Sequence, residues 1–108
     1  MTIFDERARA FEQMFVHDAE ARFRALARRN RMLGLWAAEK IGLKSGEAEA
    51  YVRATVDAVV ARDGEQRIFE KIASDLAHVS THWTESRVRR VIGAFMARAV
   101  AEVRADVP

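Results

Sequence analysis

The sequence predicts an all-α protein, a small four-helix bundle with a mobile, amphipathic N-terminal segment. Three observations carry that reading. Half of the residues are hydrophobic and the one proline stands at the extreme C-terminus, so nothing interrupts a helix. Apolar residues recur at helical spacing along most of the chain, with no period-two alternation. The breaks between these runs, at Gly42-Leu43, Asp63-Gly64 and His78 to Trp83, are short, as in bundles of neighbouring helices.

The first run extends from Phe4 to Gly42, with Phe4, Ala8, Phe11, Phe15, Ala19, Phe23, Leu26, Leu33, Trp36, Ala37 and Ile41 as its apolar stripe. One straight helix of that length would measure about 55 Å, against a radius of gyration of roughly 13 Å for a domain of this size. One end must project, and the N-terminal end is the expected one. There Phe4, Phe11 and Phe15 stand among Asp5, Glu6, Arg7, Arg9, Glu12 and Asp18. Short isolated helices are marginal in water, so residues 1–19 are expected to be weakly ordered when free, ahead of a four-helix globular domain over 20–105. Two readings of the phenylalanines stay open. They are anchors for a groove on a partner, or an ordinary first helix packed back on the domain.

Gly42 is expected to end the first helix in the left-handed conformation, with Leu43 closing the apolar contact. Ser45 reads as the N-cap of a second helix that carries Ala48, Tyr51, Val52, Thr55, Val56 and Val59 on one face and stops near Arg62. Asp63 and Gln66 have the spacing of a capping box. The third helix then buries Phe69, Ile72, Ala73, Leu76 and Val79. Trp83 and Thr84 read as staple and cap of the fourth, whose core face is Val88, Val91, Ile92, Phe95, Met96, Ala99, Val100 and Val103. Arg104 to Pro108 are expected to fray.

Composition excludes several classes. The formal charge is +2 over 108 residues, a near balance that argues against bulk nucleic-acid binding. Without cysteine, disulfides, thiolate chemistry and cysteine zinc sites are excluded. No run has the length or apolarity of a membrane span, and the acidic start lacks a signal-peptide core, so a cytoplasmic protein without direct membrane insertion is expected.

Candidate chemistry is sparse. His78 and His82 have an i, i+4 spacing but no zincin glutamate, and Asp75, Ser80 and His82 are triad residue types without a nucleophile elbow. The glycines form no phosphate-binding loop. No catalytic residue, metal or cofactor is therefore assigned. Arg22, Arg24, Arg28, Arg29 and Arg31 form the strongest charge cluster. They read as a solvated helix face, and alternatively as a basic face for nucleic acid or an acidic protein partner. Asp18–Arg22 and Glu20–Arg24 are spaced to support the helix.

The run Ala27-Arg28-Arg29-Asn30-Arg31-Met32-Leu33-Gly34-Leu35-Trp36-Ala37-Ala38-Glu39, together with Phe4-Asp5-Glu6-Arg7 and Phe11-Glu12, resembles the zeta subunit of the alphaproteobacterial F-type ATP synthase. The resemblance extends over the chain and is strongest over residues 4–43. It implies a non-enzymatic regulatory protein at the inner membrane, bound through the synthase. In that family the N-terminal segment inserts as a helix into the catalytic head, between alpha and beta subunits and against gamma, and blocks rotation in the hydrolytic direction. Carried onto this chain, the segment is residues 1–19, with Phe4, Phe11 and Phe15 as anchors and Asp5, Arg7, Glu12 and His17 as polar contacts. Met14 stands where a basic or polar residue is expected, and Gln13 and Val16 also depart, which bears on inhibitory strength and not on fold. No nucleic acid is expected as partner; weak nucleotide binding between the helices is a third reading, with no pocket located by the sequence.

Overall fold

The structure, a computed structural model, describes residues 18–106. Its four α-helices are α1 (Ala19–Ile41), α2 (Ser45–Asp57), α3 (Gly64–Ala77) and α4 (Glu85–Ala105), with a 3-10 turn, Ala58–Val60, between α2 and α3. α1 is the spine and packs most extensively on α2 and α4.

The first described helix, α1, begins at Ala19. Residues 4–17 lie outside the described residues, but at Asp18 the backbone leaves helical geometry, with φ −123° and ψ 87°. Its carboxylate accepts from the Ala21 amide at 2.9 Å. A side chain that takes a first-turn N–H replaces the carbonyl of a preceding turn, so this aspartate starts the helix. The other end follows expectation. Gly42 has φ +89°, its amide reaches the Glu39 carbonyl at 3.1 Å and the Leu43 amide reaches Ala38 at 2.9 Å, the paired bonds of a Schellman cap.

Two expected caps differ. Lys44, not Ser45, is the N-cap of α2, without a side-chain cap bond, and Ser45 takes φ +50°. Asp63 is the N-cap of α3, also without a side-chain cap bond. Its carboxylate instead pairs with Arg67 at 2.8 Å, and Gln66 donates to Glu70 at 2.8 Å. Exposed i, i+4 partners win over the capping box here. α2 also stops earlier than expected, at Asp57, and tightens into the 3-10 turn.

The main core joins Leu33 and Ala37 of α1, Ile68, Phe69, Ile72 and Leu76 of α3, and Val88 of α4. Fully burying a large apolar side chain contributes about 1.5–3 kcal/mol. Trp36 meets Trp83 edge to face at 5.0 Å and Phe95 at 6.3 Å, closing the core beside α4, and Thr84 caps α4 through the Arg87 amide at 3.2 Å. Ile68 joins the core unexpectedly, whereas Val79 is exposed. Gly64 is required by close approach, since a Cβ there would collide with the Ala58 carbonyl oxygen.

Between α2 and α3, the Tyr51 hydroxyl donates to Asp75 at 2.6 Å, and Lys71 lies 4.5 Å over the Tyr51 ring. Burial, then the Asp75 hydrogen bond, push the Tyr51 pKa well above its ordinary value. The folded state therefore keeps this proton after the unfolded chain loses it near pH 10. Stability from this group is complete below that pH and falls as pH rises above it. Urea titrations at about pH 8 and pH 11 should show a smaller loss in Tyr51→Phe than in the parent chain.

Gly64→Ala should cost about 2–3 kcal/mol by overpacking against backbone. Gly46, where an added Cβ would meet nothing within 4 Å, should gain about 0.5–1 kcal/mol as Gly46→Ala. Denaturant midpoints of the two variants check this opposite pair of signs.

Candidate functional site

The candidate partner-binding residues Phe4, Asp5, Arg7, Phe11, Glu12, Met14, Phe15 and His17 lie outside the described residues. What the structure describes is the start of α1, which follows that segment in the chain. The first turns of α1 bury Ala21 and Ala25 against Val100 and Val103 of α4, with Leu26 and Met96 packed beside them. Small side chains on α1 bring the two helices close.

Charge reinforces this joint. Arg28 donates to Asp106 at 2.7 Å and lies 3.7 Å from Glu102, while Arg24 is 3.8 Å from Asp106. Each exposed pair contributes only about 0–1 kcal/mol. Together they set two cations at the negative end of the α4 dipole, where Asp106 alone would be unfavourable. The expected fraying is corrected over Arg104 to Asp106, since α4 continues to Ala105 and Asp106 is held by α1; residues 107–108 lie outside the described residues.

Phe23 does not belong to the buried stripe, being 48% exposed. The stripe that packs is Ala21, Ala25, Arg29, Leu33 and Ala37, and Phe23, two residues out of step, points about 200° away from it. Large size suggested a core position, yet alanines fill the space because α1 and α4 approach too closely for a ring.

Nor do the five arginines form one face. Arg22 and Arg31 are exposed, Arg24 and Arg28 face Asp106, and Arg29 is buried, at 1% exposure. The expectation of a solvated Arg29 is corrected by its partners. Its Nη1 and Nη2 reach the two Glu65 carboxylate oxygens at 2.8 and 2.5 Å. Its Nε and Nη2 also donate to Asn30 Oδ1 at 2.9 and 2.7 Å. Asn30 Nδ2 in turn donates to the Thr55 carbonyl at 3.0 Å, one of the last-turn carbonyls of α2 that lack a helical partner. The Thr55 hydroxyl donates to Tyr51 O at 2.9 Å. No side-chain polar atom buried among the described residues is left unsatisfied. Only composition hinted at this network, through an arginine and asparagine within an otherwise apolar period.

The remaining candidates are occupied locally. Asp75 accepts from Tyr51 and from Lys71 at 3.3 Å, Ser80 Oγ accepts the His82 amide at 3.1 Å, and the His82 ring stands edge-on to Trp83 at 4.8 Å. The His78 ring nitrogen Nδ1 lies 2.7 Å from the Ser74 carbonyl. Among the described residues no group of three His, Asp or Glu could hold a metal ion, and no helix is long and apolar enough to cross a membrane.

Comparison with known proteins adds one finding. The family described as ATPase inhibitor subunit zeta matches residues 1–102. No individual curated protein matches the chain.

Arg29 and Glu65 should show a diagnostic coupling. Glu65→Ala alone, which leaves a buried guanidinium without its counter-charge, should cost about 3 kcal/mol. Adding Arg29→Met should recover at least about 1 kcal/mol of that loss. A double-mutant cycle by urea unfolding measures the coupling directly.

Proposed function

The chain belongs to the ATPase inhibitor subunit zeta family, and from that premise we propose that it inhibits ATP hydrolysis through its N-terminal segment. The observation that carries this reading is that the family match extends from residue 1 to residue 102, taking in the segment as well as the bundle. In this proposal residues 1–19 insert as a helix into the catalytic head of the F-type ATP synthase, between alpha and beta subunits and against gamma. Phe4, Phe11 and Phe15 are the anchors; Asp5, Arg7, Glu12 and His17 make polar contacts, and Met14 lies among them. The bundle over 20–105 acts as a non-catalytic handle that holds the segment near the head and keeps the protein peripheral to the membrane.

The geometry supports a division of labour. Helix-in-groove recognition needs an amphipathic stretch with spaced large anchors, which the sequence concentrates before Asp18. A handle needs rigidity at its junction, and there Ala21 and Ala25 are clamped on α4. The alternative of a basic nucleic-acid face loses support, because Arg29 is buried and Arg24 and Arg28 already face Asp106.

ATP hydrolysis by membrane-bound synthase stripped of endogenous inhibitor tests the reading. Full-length protein should slow hydrolysis, and a variant lacking residues 1–17 should not. Each of Phe4→Ala, Phe11→Ala and Phe15→Ala should weaken inhibition by about 30-fold if it removes a central anchor. Equal inhibition by the truncated variant would overturn the proposal.

A further inference from the structure

Arg31, Leu35 and Glu39 follow one another at four-residue spacing along α1, and all three are exposed. Leu35 is 51% exposed in the middle of a 23-residue helix, and it lines an open groove of about 390 Å³ between α1 and α2. Val52 and Val56 of α2 supply further apolar lining, and Glu49, Arg53 and Asp57 of α2 stand around it with Arg31. None of these charged side chains, Glu39 included, forms an ion pair among the described residues.

We propose that this face is the interface of a reversible twofold dimer of the chain. The order of its charges selects a second copy. Arg31 and Glu39 stand about 6 Å to either side of Leu35 along the helix axis. When two α1 helices stack antiparallel with the twofold axis at Leu35, Arg31 of each copy faces Glu39 of the other, and the two leucines meet at the centre. α2 obeys the same axis. A Cβ on Gly34 would lie 3.1 Å from the Val52 Cα, so Leu35 is level with the stretch around Val52. Glu49 and Arg53 flank that level, and the axis passing between them sets Glu49 of each copy against Arg53 of the other. Asp57 comes to the start of the other α2, beside Lys44. An isologous contact requires this kind of self-complementarity. A uniformly acidic or uniformly basic partner would instead meet like charges on the same face.

Size sets the strength. α2 has 13 residues, so with helices about 8–10 Å apart the α1–α2 face measures roughly 20 Å by 20 Å. That is on the order of 400 Å² per copy, below the roughly 800 Å² of a standard interface, and it defines a weak dimer. The two copies of Asp18 lie about 50 Å apart at its opposite ends, so the starts of the two α1 helices point away from each other.

Sedimentation velocity of the full-length protein tests the interface without the synthase, so its outcome is separate from that of the proposed inhibition. The mean sedimentation coefficient should rise as the concentration increases from about 10 µM to about 1 mM, as a small interface requires. Arg31→Glu and Glu39→Arg each turn attractive contacts into repulsive ones and should raise the dissociation constant at least about tenfold. An equimolar mixture of these two variants should associate again, because both swapped contacts across a mixed pair are attractive. The variant carrying both changes should recover in the same way. Leu35→Glu, which sets two carboxylates at the axis, should abolish association. All three positions are exposed, so helical circular dichroism should be unchanged in every variant. A chain that stays monomeric throughout the concentration range would overturn the proposal. So would association that survives Leu35→Glu, or single variants that remain monomeric when mixed.

Discussion

Arg29 places a full positive charge where only 1% of its surface meets water, and the way that charge is matched dictates how three helices meet. A buried ion is costly unless it is paired and hydrogen-bonded. Here Glu65, at the start of α3, supplies the counter-charge and Asn30 takes two further N–H groups. Asn30 then holds the Thr55 carbonyl at the end of α2. One α1 turn thus fixes where α2 finishes and where α3 begins. Glu65 is itself 64% exposed at its side chain, so the network opens to water on one side and its desolvation cost is shared. Gly34 completes the arrangement, because a Cβ there would lie 3.1 Å from the Val52 Cα and 3.2 Å from the Thr55 Cβ. Without a side chain at that point, α1 and α2 approach closely enough for the asparagine to reach.

The residues that most specifically carry the family resemblance therefore have a structural role. Within the run from Ala27 to Glu39, Arg29, Asn30, Leu33, Gly34, Ala37 and Ala38 are all buried. They specify a crossing and a junction, not a surface offered to a partner. Arg31 and Leu35 of the same run face water, and they line the groove beside α2. A single helix thus carries three assignments around its circumference: one side for α4, one for the α2–α3 junction, and one left open.

The joint at Asp18 links fold to function. Past it, α1 is clamped by Ala21 and Ala25 on α4 and by arginines reaching Asp106, so the first turns of the helix are fixed to the bundle. The Asp18 carboxylate, by accepting from the Ala21 amide, supplies the bond that a preceding helical turn would otherwise provide.

The helical class, the four helices, the glycine cap at Gly42, the threonine cap at Thr84, the core face of α4 and that of α3 apart from Ile68 and Val79 were legible in the order of residues. They follow from periodicity and short-range hydrogen bonding, which act over a few residues and are visible along the chain. The match over residues 1–102 agrees with the resemblance read from the same residues. Which side of α1 is buried was legible only in the packed molecule, because Phe23 and Ala25 compete for that side and the separation from α4 admits the smaller one. Packing likewise put Arg29 inside and Arg31 outside, since the deciding partner, Glu65, is 36 positions away. The anchored end at Asp106 and the open groove at Leu35 were hidden for the same reason: each depends on distances between helices, and no local pattern of residues encodes a distance.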